Sequence, residues 1–390
     1  MGITELVQLS RWYGSTPGYV IGGGGNTSYK EGSILYIKGS GTSLATIDEA
    51  GFVRMDRERL RSIWLRSYSM NASEREAQVL GDLMAARFPG EEHKRPSVET
   101  LLHDLLPFAY VVHTHPALVN GLTCAQLGET VAHRLFGEQA LWIPYTDPGY
   151  VLSCKVREIL DTRIRKGKEI PPILFLENHG VFVGGSSPEE IREIYDGIMS
   201  TLERALRRRP DGKTLPVAPA TIEEMQERLK TLVVSSHIPG VSLETQGEKS
   251  QERKDTPLFV AAANALELEA RSQTETTFSP LAGAFTPDHI VYAGPEPLYV
   301  PTLSELSARW ESYYRRYNRS PKTIVVRDIG AFGLGSSEKA AHLAVALFMD
   351  SLEIAAYAES FGGSKLLTRE QVAFILNWEV EQYRSQVSTR

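Results

Sequence analysis

Cysteine is nearly missing: Cys124 and Cys154 are the two in 390 residues. That excludes a disulfide framework as the organising device, and it excludes a four-cysteine zinc site. No run of ~18 apolar residues stands out, so no membrane span is expected. The opening Met-Gly-Ile-Thr-Glu-Leu-Val-Gln has neither a basic region nor an apolar one behind it, so no secretory signal is expected there. Positive charge is in short supply as well. Lys and Arg number 42 against 48 Asp and Glu, a net charge of −6 that argues against a nucleic-acid binder. Together these features predict a cytoplasmic protein. The hydrophobic share of 42% and charged share of 23% suit a globular chain with a sizeable core. Its length suggests two to three domains at ~150 residues each.

Apolar spacing predicts a helix over 3–13 and another over 73–87, the latter with Ser73 as N-cap and Glu76 as its capping-box partner. Ser97 similarly caps a helix running to about Leu106, stopped by Pro107. Short β-rich runs at 34–37, 109–113, 173–176 and 181–183 read as strands, and Ser187-Pro188 starts a helix running to about Arg208. Further on, helices are expected at 221–233, 258–271, 304–317 and 336–360, with strands at 288–292 and 323–326. The polar stretch 243–257 reads as a linker. Helices alternate with strands in both halves, which favours α/β layering, and no internal repeat stands out. These signals divide the chain into domains at 1–242 and 256–390.

Histidine is scarce, nine in all, and its placement is informative. His113-Thr114-His115 puts two imidazoles at i and i+2 where a strand ends, so both point to one face. His179 sits in the turn Asn178-His179-Gly180 between two apolar strands. Three imidazoles with an open position describe a catalytic zinc-type site, the alternative being hydrogen-bonded core histidines. Glu99, at the first turn of a helix just before the His-Thr-His strand, is placed to ligate a metal or to act as a base beside it. His103, at i+4 from Glu99, reads as a supporting or packing residue, and His93, His133, His237, His289 and His342 as structural or exposed.

Gly22 to Gly25 followed by Asn26-Thr27-Ser28 offers backbone N–H groups to an anion. It is neither a dinucleotide fingerprint nor a Walker A loop, because a strand follows it and no Gly-Lys-Ser/Thr is present. With Gly39-Ser40-Gly41 and Ser97 it forms three segments able to converge on one phosphate, each of which could also be a plain turn or cap. Gly333-Leu334-Gly335-Ser336 lacks the third glycine of the nicotinamide pattern and reads as a tight strand-to-helix turn.

Gly-Gly-Gly-Asn-Thr-Ser, Lys-Gly-Ser-Gly, Pro-Ser-Val-Glu, His-Thr-His-Pro and Asn-His-Gly, in this order over about residues 5–205, resemble the class II aldolase/adducin family. Three further stretches extend the resemblance over nearly the whole chain: Arg95 to His103, Phe285-Thr-Pro-Asp-His289, and Asp328 to Gly335. These are similar to the aldolase portion of bifunctional rhamnulose-1-phosphate aldolase/short-chain dehydrogenases, with the oxidoreductase half absent. The resemblance implies an α/β fold: a three-layer domain with a largely antiparallel central sheet, plus a smaller C-terminal α/β lobe. It implies reversible cleavage of a ketose 1-phosphate to dihydroxyacetone phosphate and an aldehyde. His113, His115 and His179 would hold a divalent metal, most often Zn2+, with Glu99 both a ligand in the resting site and the base. Asn26, Thr27, Ser40, Gly41 and Ser97 would surround the substrate phosphate; Val98 stands where simple fuculose-phosphate aldolases have a second serine. Tyr145 and Tyr150 are candidate proton donors, or else two aromatic anchors of a packed turn. A homo-oligomer, a tetramer by resemblance, is implied, with no nicotinamide cofactor, nucleic acid or membrane partner. The rival readings are a pentulose-phosphate 4-epimerase, whose members tend to carry Asp at the position of Glu99, a sugar-phosphate dehydratase, and a non-catalytic adducin-like scaffold, which lacks the histidine triad.

Overall fold

A computed structural model describes residues 2–235 and 258–378. The linker expected at 243–257 and His237 lie outside the described residues, as does the expected 242/256 domain boundary. The chain divides into two compact units, Met1–Leu206 and Arg207–Arg390.

The first unit has seven strands: β1 Asn26–Glu31, β2 Ile34–Lys38, β3 Phe52–Asp56, β4 Tyr110–Thr114, β5 Ala140–Ile143, β6 Ile173–Leu176 and β7 Gly180–Gly185. Its helices are α1 Ile3–Ser15, α2 Arg57–Ile63, α3 Ala72–Ala85, α4 Thr100–Leu105, α5 Ala117–Thr123, α6 Gly128–Phe136, α7 Tyr150–Arg165 and α8 Pro188–Ala205. The strands pair in the order β3-β2-β1-β4-β7-β6-β5. Only β5 and β6 pair in parallel; of the sheet neighbours that follow one another in the chain, they are the pair joined through a crossover helix, α7. Helices α2, α3, α4 and α7 cover one face, burying Leu35, Ile37 and Val53 on one side and Val111, Leu174 and Phe182 on the other. Helices α1, α5 and α8 cover the opposite face, so the unit has three layers. Both faces are covered, which is why β4, β6 and β7 are buried at every position rather than alternating.

The second unit contains β8 Thr214–Leu215, β9 Phe259–Ala265, β10 Leu298–Val300, β11 Thr323–Val326 and β12 Gly330–Gly335, in the order β10-β11-β12-β9-β8. Its helices are α9 Pro219–Ser235, α10 Leu266–Arg271, α11 Glu275–Phe278, α12 Leu306–Tyr317, α13 Glu338–Ala358 and α14 Arg369–Asn377. Residues 207–235, grouped with the first domain on sequence, pack here instead: Met225 and Leu229 of α9 join Trp310, Ile324 and Phe332 in one core. By length and composition alone the helix through 338–361 is apolar enough to cross a membrane, a test that a buried core helix also passes. Its buried face, including Ala344, Leu347, Phe348 and Ile354, lies on β9 and β12, which makes it the core helix of this sheet.

Several sequence expectations change. The helix expected at 258–271 is strand β9 and then the short α10. Alanine favours helix, but the pairing of β9 between β12 and β8 overrides that propensity. The strand expected at 288–292 is a wide helical turn, His289–Ala293. Gly333 and Gly335 lie inside β12, so the turn into α13 is made by Ser336 and Ser337. Asn71, not Ser73, caps α3, accepting from the Glu74 N–H at 3.1 Å. Helix α4 starts only at Thr100, with Glu99 rather than Ser97 at its N-cap. The pairings β8-β9-β12-β11-β10 reproduce β1-β4-β7-β6-β5, down to one parallel pair at the end.

Candidate metal centre

Strand β4 and the residue just past its end deliver His113 and His115 to one place, in keeping with the i, i+2 spacing. The β6–β7 turn delivers His179 to the same place. Asn178 holds φ +52°, a left-handed conformation that asparagine tolerates better than most residues. Gly180 is required by contact: a Cβ there would stand 2.5 Å from His115 Cδ2 and 2.6 Å from the Thr114 carbonyl oxygen. The local sequence Asn-His-Gly is thus what lets this turn come down onto the end of β4.

One ligand atom from each of His113, His115 and His179 lies within 4.8 Å of the others. His113 Nε2 and His115 Nε2 are 2.9 Å apart, a separation at which two lone pairs repel unless a proton or cation lies between them. His113 is fully buried, its ring stacked on Phe182 at 4.0 Å, and its Nδ1 donates to the Val181 carbonyl at 3.0 Å. That bond fixes the tautomer and turns the Nε2 lone pair into the cluster.

Glu99 enters from the N-cap of α4 and is 6% exposed. Its Oε2 accepts from Asn26 Nδ2 at 2.6 Å. Its Oε1 lies 3.3 Å from His113 Nε2 and 3.4 Å from His179 Nε2, and is buried with no hydrogen bond. Behind it stands a closed chain of polar contacts. His103, fully buried, donates from Nε2 to Asn26 Oδ1, and its Nδ1 accepts from Ser28 Oγ at 2.7 Å. Burial pushes the His103 imidazole well below the usual histidine range, so the ring is neutral, as one donor and one acceptor demand.

The expected phosphate residues are partly rearranged. Asn26 faces the cluster, but both ends of its amide are committed to Glu99 and His103. Thr27, next along β1, points to the other face and bonds Ser10 Oγ at 2.6 Å, as the two-residue period of a strand dictates. Its hydroxyl is therefore not at the site. Ser40, Gly41 and Ser97 are brought together: Ser40 N donates to the Arg95 carbonyl at 2.7 Å, and Ser97 N to the Lys38 carbonyl at 3.2 Å. Ser97 Oγ accepts from the Glu99 N–H at 3.3 Å. Lys38, missed on sequence, is buried beside these loops, with Nζ 3.4 Å from the Gly23 carbonyl oxygen. A lysine abutting Gly-Ser-Gly was the available signal. The two tyrosine side chains have partners outside the histidine cluster. The Tyr145 hydroxyl donates to Asp147 at 3.2 Å, and Tyr150 packs with Trp64 and Tyr68. Burial pushes the Tyr150 hydroxyl up to about 12, with its neighbour Cys154 adding to the shift.

A three-layer α/β unit with a mostly antiparallel sheet and a three-histidine cluster at the end of its central strand is the class defined here. Residues 4–207 match the Class II Aldolase and Adducin N-terminal domain, and the chain belongs to that family. It is 24% identical over 423 residues to the "uncharacterized oxidoreductase YuxG" of Bacillus subtilis, covering 98% of this chain and 58% of that protein. The chain therefore spans well under two thirds of that relative. Among solved structures it is similar to the N-terminal class II aldolase domain of a conserved protein from Thermoplasma acidophilum, with 29% identity, 52% of this chain, 92% of that one and a TM-score of 0.44. It is also similar to the L-fuculose-1-phosphate aldolase of Thermus thermophilus, with 17% identity, 52% of this chain, 89% of that one and a TM-score of 0.31.

Proposed function

We propose that this chain is a metal-dependent aldolase that reversibly cleaves a ketose 1-phosphate, of the rhamnulose or fuculose type, to dihydroxyacetone phosphate and an aldehyde in the cytoplasm. The observation that carries this reading is the buried, unbonded Glu99 Oε1 facing two imidazole nitrogens. A carboxylate oxygen with no donor is costly to bury, whereas a cation among three neutral imidazoles satisfies it. The donor set of three nitrogens and one oxygen fits Zn2+, and His113, His115, His179 and, in the resting site, Glu99 would hold it. Bound there, the cation supplies Lewis-acid stabilisation of the negative charge that develops next to the cleaved bond.

The remaining steps belong to the chain. In cleavage the hydroxyl proton of the carbon that becomes the aldehyde leaves to solvent as the carbon–carbon bond breaks, and Glu99 delivers a proton to the carbon that becomes the hydroxymethyl carbon of dihydroxyacetone phosphate; in the reverse direction Glu99 removes that proton. Asn26 holds Oε2 so that Oε1 is the oxygen presented, and His103 keeps Asn26 in that orientation. With the Ser40 and Ser97 N–H groups held by the Arg95 and Lys38 carbonyls, these two serines offer their hydroxyls and Gly41 its N–H to the phosphate, and Lys38 supplies the nearby positive charge. The test follows dihydroxyacetone phosphate in D2O by NMR. The wild-type protein should exchange one hydroxymethyl proton, and Glu99→Gln should retain metal while slowing exchange by about 10²–10⁴-fold. Wild-type exchange rates in Glu99→Gln would remove Glu99 from the role of base.

A further inference from the structure

The two units share more than strand order. Segment 171–188 is matched by 321–338 at a constant offset, Pro171 against Pro321, Gly180 against Gly330, Phe182 against Phe332, and Ser186-Ser187 against Ser336-Ser337. Asn178 and Asp328, at matched places in the two turns, both hold positive φ, +52° and +60°. Ser187 and Ser337 each cap the helix that follows, accepting from Glu190 N and Ala340 N. In β4, His113 stands opposite Phe182; in β9, Ala262 stands opposite Phe332. A Cβ on Gly180 would meet Thr114 O and His115; one on Gly330 would meet Ala263 O at 2.9 Å and Asn264 Cβ at 3.3 Å. The register thus maps His113, His115 and His179 onto Ala262, Asn264 and Ile329.

We infer that the second unit is an internal duplicate of the histidine-bearing sheet whose metal position has been dismantled, leaving one metal centre per chain. Each lost imidazole has a distinct replacement. Ala262 and Ile329 pack against the apolar core that includes Met225, Trp310 and Phe332. The Asn264 amide is satisfied locally, accepting from Ala265 N at 2.8 Å and donating to Glu269 at 3.1 Å. A cleft of about 480 Å³ still opens onto this position, lined by Val217, Asn264, Glu269, Asp328 and Ile329 among others. Its lining contains no histidine, lysine or arginine, so among the described residues it offers neither an imidazole to a transition metal nor a positive charge to a phosphate. The location of a site has been kept and its chemistry removed.

This inference rests on the metal reading of the first unit, and the experiment separates the two. The full chain is loaded with Co2+, freed of excess, and its bound metal and visible ligand-field bands are measured. Wild type should hold one Co2+ per chain and His113→Ala about none. Adding Asn264→His and Ile329→His to the His113→Ala background, with Glu269 alongside as a third donor, should restore one Co2+ per chain. The single change Asn264→His, which leaves the apolar floor intact, should still raise bound Co2+ above that background. Two Co2+ per wild-type chain, or no gain in whichever of these variants folds with native circular dichroism, overturns the duplicate. No Co2+ in wild type, with a gain in the histidine-added variant, overturns the metal reading and leaves the duplicate standing.

Discussion

Gly180→Ala tests whether the β6–β7 turn must lie against β4 for the cluster to form. The added Cβ would stand 2.6 Å from the Thr114 carbonyl oxygen and 2.5 Å from His115 Cδ2. The first of these is backbone, which cannot swing aside, so the turn or the end of β4 must move by about 0.8 Å to reach ordinary contact. Overpacking of this kind costs about 1–3 kcal/mol. Whatever part of that displacement separates His179 from His113 and His115 appears as lost metal affinity, up to about 5- to 150-fold if all of it does. The control is Gly197→Ala, in the exposed interior of α8 where the new Cβ meets nothing within 4 Å. That change should stabilise by about 0.4–1 kcal/mol, because alanine has less conformational freedom to lose on folding. Urea unfolding and competitive Zn2+ titration of the three proteins give both quantities. If Gly180→Ala matches wild type in midpoint and in metal affinity, the turn does not hold His179 in place and the steric account of Asn-His-Gly fails.

Three further outcomes follow from the same geometry. His103→Ala leaves Asn26 Oδ1 and Ser28 Oγ buried without their partner and should cost about 2–4 kcal/mol in urea unfolding, while also slowing proton exchange because Asn26 is no longer held against Glu99. Lys30 is pulled down to about 7 by burial, against the raising effect of Asp104. The unfolded chain then binds the extra proton between about pH 7 and ~10.4, so this group's contribution is complete above ~10.4 and is lost as pH falls to about 7; Lys30→Met should flatten the rise of stability with pH across that window. Titration with NADH should give no saturable fluorescence change, since the Gly22–Gly25 loop leads into a strand and Gly333 and Gly335 lie within β12, so neither forms the strand-to-helix turn that receives a pyrophosphate.

What could be read in the sequence was what a short period or a single turn determines. His113 and His115 come to one place in keeping with the two-residue repeat of a strand, and Ser187-Pro188 starts a helix because its cap and its first residue are local choices. By the same period Asn26 and Thr27 cannot both face one site, and β1 sends them to opposite sides. Other features were set by partners distant in the chain. Glu99 gives up capping α4 because Asn26, 73 residues earlier, receives its carboxylate. The alanines of β9 extend because β12 and β8 flank them. The duplication is hidden in the sequence because the histidines, the most conspicuous residues of the first copy, are the ones replaced in the second. What persists is the scaffold of the turn: a left-handed Asn178 or Asp328, then a glycine with no room for a side chain, then a strand and a serine-capped helix. Backbone geometry of that kind is required by the packing of the sheet whether or not a metal is bound, so it outlasts the chemistry. A repeat of this sort is found by matching turn and cap residues across the chain, not by searching for a second set of ligands.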